Sequence, residues 1–541
     1  MSKTNRIKML IFGSVFIIAF IMNLILSIPY YSMENVTFQN LDEQYISASY
    51  EPNKNGKGVI IASDLSHDKS ELSTMVYELK KLGYGIYTFD FPSQGTTGGN
   101  IPFHTNSKSY LAEQFYSALI AYSQLDNLTI EDIHVVGYGS GARAILETAS
   151  MGLIRPASTT LVGVDINLTD KFQYNVLNFS KDKEVEWVNA INKFTPGSHV
   201  RLIYSAFDNV STVEDNEKLQ ELLTLQPKEG VTAPYENDVT STEYKFPLHY
   251  NLMGYKPIIF EIVSFVSEID GVTYVPFKLL YVRSLLVMLM FVSIILSMGI
   301  LYSYITPFEK LQAVRKRIRV KMPKDFLKYK LIFWLPTFVV MGVLPILLYS
   351  LPINFPYNDI FRFIVFVSYG LVNLVIYKFS NFAYDFGQHM WSRTGNSSIK
   401  KGFVAGVILL GLVSLISFSG MYQIYALKSK SLWILIFTLF CFITFYVDEK
   451  ERLIIGGGVK TQMKFIIVNY LGIPLSIILT LAVGLFNTAY MLLLMGLYLA
   501  FVLSFEPLLH KLNSSPWLNS LIKAIIFQFL VFGQCTMFLN S

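Results

Sequence analysis

Two hydrophobic patterns divide the chain. Continuous apolar runs open it and fill its second half, and between them short apolar strands alternate with amphipathic helices. The first run, residues 9–29, has about the 20 apolar residues a bilayer core requires and follows Lys3, Arg6 and Lys8. It is therefore expected to span a membrane with its N-terminus in the cytoplasm. The run exceeds the roughly 7 to 15 apolar residues of a signal peptide. Pro29-Tyr30-Tyr31 also offers no small-residue cleavage site, so residues 1–30 are expected to be a retained anchor.

From 45 to 270 the periodicity changes. Strands are expected at 58–62, 85–90, 133–136, 159–166, 200–205 and 244–246, and helices at 70–82, 107–124, from the glycine turn at 137–141 to about 150, 214–223 and 256–266. Strands alternating with helices imply an α/β domain with a mainly parallel sheet covered on both faces. No internal repeat or low-complexity linker interrupts it.

Residues 277–541 are apolar again. Runs at about 279–305, 329–351, 358–378, 402–425, 431–447, 464–486, 488–508 and 518–538 predict an all-α polytopic membrane domain of about eight helices. Positive charge sets the expected topology. Lys310, Arg315, Lys316, Arg317, Arg319, Lys321, Lys324, Lys328 and Lys330 face only Glu309 and Asp325 within 309–330, which marks that segment as cytoplasmic. Lys378, Arg393, Lys400 and Lys401, then Lys450, Arg452, Lys460 and Lys464, fall on the same side if every run crosses; Lys428 and Lys430 do not. The α/β domain and the C-terminus are then outside.

Composition agrees with that division. Of 541 residues, 52% are apolar and 15% charged, with a mean hydropathy of +0.42, which excludes a wholly soluble protein. The net charge of +5 gathers beside apolar runs and reads as membrane topology, so no nucleic-acid partner is expected. Cys441 and Cys535 both lie in apolar runs, so the outer domain holds no disulfide and no thiolate metal site. His67, His104, His134 and His199 are scattered without ligand spacing, so neither a metal nor a cofactor is expected.

The candidate chemistry lies in the α/β stretch. Ile133-His134-Val135-Val136 runs into Gly137-Tyr138-Gly139-Ser140-Gly141 and then a helical segment. Upstream, Asp90-Phe91-Pro92-Ser93-Gln94-Gly95-Thr96-Thr97-Gly98-Gly99 follows a strand; downstream come Tyr204-Ser205-Ala206-Phe207-Asp208 and His249. Over residues 57–268 these motifs resemble the α/β-hydrolase superfamily: an Asp-x-x-Gly-x-Gly-x-Ser-Gly-Gly loop with departures at Ser93 and Thr97, and a Gly-x-Ser-x-Gly nucleophile elbow. The resemblance implies a triad in the order elbow, Asp208, His249. It also puts the family's nucleophile at Gly139.

Glycine has no atom to attack with. Ser140 stands one residue later, where the family uses the backbone N–H as an oxyanion donor. Where the family has His-Gly, this chain has Ser63-Asp64-Leu65-Ser66, so Leu65 falls in the oxyanion loop and an Asp64 carboxylate would oppose a developing oxyanion. Each residue also has a plainer role. Ser140 can start a helix, Asp208 can close a turn before the helix at Glu214, and His249 can be a hydrogen-bonded histidine beside Tyr250. Tyr138, at the variable position, would face the pocket. A second register, Gly137-x-Gly139-x-x-Ala142, fits a dinucleotide fingerprint with Asp165 at the ribose, but that Asp is 28 residues on and two strands precede the motif.

In the membrane runs, ionisable residues look scarce: Glu506 and Lys523 lie near helix ends, and Asn373, Asn469, Gln528 and Gln534 are neutral. Pro336, Pro345 and Gly472 with Pro474 mark kinks or breaks. The expectation is a multi-pass cell-membrane protein whose outer, catalytically degenerate hydrolase-like domain binds, senses or assembles at the cell envelope. Its expected partners are membrane lipids, a lipid or envelope ester ligand and a membrane protein. The rival is an active serine hydrolase of acyl esters using Ser140, His249 and Asp208. A third class is a transporter with a regulatory outer domain.

Overall fold

The computed structural model describes residues 3–64, 69, 73–92, 94–97, 107–151, 154–169, 199–208, 211–224, 238–245, 255–277, 282–304, 326–349, 353–354, 357–379, 399–420, 427–455, 459–483, 486–512, 515–531 and 538–539. The middle stretch forms one eight-stranded sheet: β1 (Glu34–Gln39), β2 (Tyr45–Glu51), β3 (Gly58–Ala62), β4 (Gly85–Phe89), β5 (Ile133–Tyr138), β6 (Ser158–Val162), β7 (His199–Ser205) and β8 (Asp238–Tyr244). The order is β1-β2-β4-β3-β5-β6-β7-β8. Neighbours among β3 to β8 pair in parallel, whereas β1 pairs antiparallel with β2, and β2 with β4. The sheet is therefore mixed, in an α/β-hydrolase-like arrangement.

The strands that the pattern misses or misplaces are the β1-β2 hairpin and β8 at the two edges and, at its C-terminal end, β6. The β1-β2 hairpin begins before residue 45, and its Asn, Thr, Ser and Gln positions leave no continuous apolar signal. β8 covers Asp238–Tyr244 rather than 244–246, because an edge strand bearing Thr240, Ser241 and Thr242 is half exposed on both faces. β6 ends at Val162, where Gly163 at φ +55° turns the chain out of the sheet.

The central strands alternate in which face they feed. Val59, Ile61, Val136, Tyr138, Val162 and Ile203 pack under α2 (Ser73–Lys81) and α6 (Tyr255–Ile269). Ile60, Ala62, Val135, Leu161, Leu202 and Tyr204 pack under α3 (Ser107–Asp126), α4 (Ser140–Ser150) and α5 (Val213–Thr224). Period-2 strands between helices bury both faces, which is why these strands read as unbroken apolar runs.

The α2 and α6 face also packs against α1 (Lys3–Tyr31) and is continuous with the apolar core of the second half. Arg283, the first residue of α7 (Arg283–Tyr304), ties the two together. Its guanidinium donates to Asn23 and Ser27 on α1, at 3.1 and 2.6 Å, and to Ser73 and Thr74 at the start of α2, at 3.2 and 3.4 Å.

The second half continues as α8 (Phe326–Ile332), α9 (Trp334–Tyr349), α10 (Tyr357–Phe379), α11 (Ile399–Gly420), α12 (Leu427–Ile455), α13 (Val459–Asn469), α14 (Gly472–Ala482), α15 (Phe486–Ser504), α16 (Glu506–Leu512) and α17 (Pro516–Val531). Every expected apolar run contains a helix or a broken pair of helices. Among the described residues, four helical stretches are long and apolar enough to cross a membrane: Lys3–Tyr31, Leu285–Tyr302, Phe361–Phe379 and Thr488–His510. The pair α13–α14, bent by 49° at Tyr470-Leu471, makes a fifth if it is one span. Large apolar side chains stand exposed along these helices, among them Leu10, Ile17, Ile25, Met288, Leu296 and Leu497.

Candidate functional site

The turn after β5 is tight because all three of its glycines are sterically required. A Cβ on Gly137 would lie 2.7 Å from the backbone nitrogen of Ala142, so glycine lets α4 come down directly onto the strand that feeds it. A Cβ on Gly141 would lie 2.7 Å from the carbonyl carbon of Ala62 at the end of β3. Gly139 sits at φ +53° and ψ −116°, a backbone that an L side chain adopts only under strain. This strand–turn–helix geometry carries its central residue where a nucleophile would be presented.

The space a nucleophile would fill is taken. A Cβ built on Gly139 would lie 2.5 Å from Oδ1 of Asp64, so the Asp64 carboxylate stands where the side chain of the elbow residue would begin. The backbone N–H of Ser140 donates to that same Oδ1 at 3.0 Å. This amide is the first donor of α4, so a carboxylate from the loop after β3 satisfies an orphan N–H and meets the positive end of the helix. An oxyanion formed at this turn would need the same amide and would meet a negative charge already bound there.

Ser140 itself is turned inward. The residue is 4% exposed, and its Oγ lies 3.5 Å from Oδ2 of Asp165 at the limit of a hydrogen bond. Asp165 is held in turn by α4: buried Arg143 donates from Nη1 to its carbonyl at 3.0 Å and from Nε to Glu147 at 2.8 Å. The dinucleotide register would put Asp165 at a ribose; in the structure it packs beside Ser140, while Asp64 occupies the start of the helix where a pyrophosphate would bind.

Asp208 follows β7, is 7% exposed, and its Oδ1 accepts the backbone N–H of Ser211 at 3.3 Å, closing the turn before α5. Leu65 and His249 lie outside the described residues. The structure therefore brings Gly137, Gly139, Ser140 and Gly141 together with Asp64 and Asp165, and places Asp208 just beyond β7, two strands away from β5 in the sheet. Asp90 is built into its own loop: its carboxylate accepts the backbone N–H groups of Lys69 and Thr96 at 2.7 and 3.0 Å. Gly95 at φ +43° is required there, since a Cβ would lie 2.6 Å from Asp90 Oδ1.

One feature of the second half contradicts the sequence expectation. Ionisable residues are not scarce inside the bundle. Asp448, Glu449, Glu451, Arg452, Glu506, Lys330 and Lys523 are all buried, and His510 is nearly so. Sequence places Glu506 and Lys523 near helix ends and makes Lys330 and Arg452 signs of topology, because Asp448-Glu449-Lys450-Glu451-Arg452 follows an apolar run and only the fold shows which of these charges turn inward.

No protein-family model matches the chain, and no curated protein matches it in sequence. Among solved structures, the esterase Pf2001 of Pyrococcus furiosus aligns at a TM-score of 0.34 and 16% identity, over 44% of this chain and 92% of its own. The Paleococcus ferrophilus monoacylglycerol lipase aligns at 0.32 and 12%, over 41% and 99%. The α/β hydrolase GrgF from a Penicillium species aligns at 0.34 and 12%, over 44% and 99%.

Proposed function

We propose that this protein is a multi-pass membrane protein whose α/β-hydrolase-like domain works outside the cytoplasm by binding or sensing, not by ester hydrolysis. The observation that carries this is the Asp64 carboxylate seated at the elbow. It fills the space next to Gly139 and occupies the Ser140 amide, so the turn lacks a nucleophile and its anion-stabilising donor is already used. A buried, inward-turned Ser140 supplies no exposed replacement.

Two further features support a role beside the membrane. Exposed aliphatic side chains run along α1 and α7, which in water would be a costly surface and in lipid is the expected one. The start of α2, which follows the loop carrying Asp64, is fastened by Arg283 to α1 and α7. A ligand that displaced Asp64 would thereby act next to a joint between domain and bundle. The expected ligand class is a lipid or an envelope ester met at the membrane surface.

Labelling of the full-length protein by a fluorophosphonate probe tests this. No covalent labelling is expected for the natural sequence. Stoichiometric labelling that Ser140→Ala abolishes would overturn the proposal and establish a serine hydrolase.

A further inference from the structure

The buried charges of the bundle divide into two parts. In the first, the Lys330 ammonium on α8 lies 2.5 Å from Glu451 Oε1 on α12 and 2.5 Å from Asn373 Oδ1 on α10. Tyr377 donates to the same Glu451 oxygen. One cation meets one carboxylate, and this part is balanced.

The second part is not balanced. Asp448, Glu449 and Glu506 supply three carboxylates, and Arg452 and Lys523 supply two permanent cations. Arg452 reaches Asp448 at 3.0 Å and Glu506 at 2.7 Å. Lys523 on α17 reaches Glu449 at 2.5 Å, Glu506 at 3.5 Å and Asp448 at 3.7 Å. The remaining group is His510, whose Nε2 stands between two carboxylates, 3.0 Å from Glu449 Oε2 and 3.3 Å from Glu506 Oε1. Counted over the described residues, the cluster holds one uncompensated negative charge with a neutral imidazole, and sums to zero with an imidazolium. An uncompensated buried charge is among the costliest features a fold can carry.

We propose that this end of the bundle is a proton-binding site, in which one proton held on His510 between Glu449 and Glu506 completes the charge of the buried cluster. Among the described residues, the other elements packed against α16 bring no further cation to it: α15 carries the phenols Tyr490 and Tyr498, and Tyr470, between α13 and α14, is a buried phenol close to the cluster's carboxylates. α7 and α11 contribute Tyr302 and Lys401, which are both exposed, and Lys450 on α12 lies instead over the Tyr446 ring. A metal ion held by Glu449, Glu506 and His510, whose ligand atoms lie within 4.8 Å of one another, would have to displace the Lys523 ammonium.

The cluster is also joined to the break between α13 and α14. Asn469, the last residue of α13, donates from Nδ2 to Asp448 at 3.0 Å and to Glu451 at 3.1 Å, and so links the balanced part to the unbalanced one. A titratable site wired to a broken helix is the combination that proton-coupled membrane proteins use to convert protonation into movement. The further function assigned here is proton linkage of the bundle's conformation.

The test uses full-length protein in detergent, with the thermal unfolding midpoint followed from about pH 6 to about pH 9. Because the proton completes the charge of the folded state, the stability it contributes is present at the acid end and fades as the pH rises and His510 releases it. The natural sequence should lose several degrees over that range. His510→Lys, which keeps a cation at all these pH values, should remove the step and stay at the higher midpoint. Glu449→Gln, which leaves two carboxylates against two cations without a protonated histidine, should also remove the step. His510→Gln should flatten the profile at the lower midpoint, and adding Glu449→Gln to it should restore stability. A step that persists undiminished in His510→Lys and Glu449→Gln would overturn the proposal. So would stabilisation by added zinc or manganese that His510→Gln abolishes, which would assign the site to a metal.

Discussion

At the scale of single residues, the elbow is a place where glycine is required and serine is dispensable. Gly139→Ala puts a Cβ onto a strained backbone and into the Asp64 carboxylate, and should cost about 1–3 kcal/mol of stability. Ser140→Ala removes only a marginal hydroxyl contact at 3.5 Å and should cost about 1 kcal/mol or less. Thermal unfolding of the two variants side by side checks this, and equal losses would show that the turn is held by its serine. Asp64→Ala should leave the Ser140 amide to water and cost about 1 kcal/mol, the usual worth of a lost helix cap. It should not create hydrolytic activity, because Gly139 still has no nucleophile.

At the scale of elements, the structure is held by ties between pieces distant in sequence. Asp270, just beyond α6, joins that helix to β5 and β4: its Oδ2 is 2.9 Å from His134 Nε2 and accepts the Tyr84 hydroxyl at 2.7 Å. Burial opposes its ionisation, but hydrogen bonds from His134 and Tyr84, with Lys57 nearby, hold the carboxyl below its usual range. Its contribution is therefore present at neutral pH and lost as the pH falls through the lowered value. Asp270→Asn should cost about 1–3 kcal/mol near neutrality. The difference from the natural protein should begin to shrink as the pH falls below about 4 and continue to shrink in stronger acid, as denaturant titrations at neutral and acid pH would report.

Arg283 is the corresponding tie between domain and bundle. Its donors reach α1 and α2, and Arg283→Met would remove the N–H donors that the buried oxygens of Asn23, Ser27, Ser73 and Thr74 accept. The sheet has its own core under α3, α4 and α5, so it should stay folded while its attachment loosens. Limited proteolysis between the domain and α7 should accelerate several-fold, without a matching drop in the domain's own unfolding midpoint.

At the scale of the whole molecule, one apolar core runs from the sheet face through α2 and α6 into the bundle, and the charged cluster lies inside that apolar body. Its ion pairs should be strongly coupled. Glu451→Gln leaves the Lys330 ammonium buried without its carboxylate and should cost about 3–5 kcal/mol. Lys330→Met should cost a similar amount, and the double variant should cost far less than the two together. Additive losses in that cycle would mean that the two groups do not act as a pair.

Much of this protein was legible along the chain. The long apolar first helix, the apolar runs and the strands β3 to β7 each follow from burial that is local in sequence: about 20 apolar residues are enough to cross a bilayer, and short apolar strands suit a sheet covered on both faces. The motif 137–141 and the missing nucleophile at Gly139 were equally visible, because spacing and side-chain identity are local facts. Edge strands β1 and β8 were missed or misplaced because half-exposed positions carry little apolar signal, and β2, buried beside β1, because its Ser and Tyr positions break the apolar run. What only the tertiary structure decided is where charges meet. Asp64 and Ser140 lie 76 positions apart, and Glu451 and Lys330 lie 121 apart. A carboxylate is a solvated loop residue or a buried counter-ion according to what the fold brings within about 4 Å of it, and no periodicity records that distance.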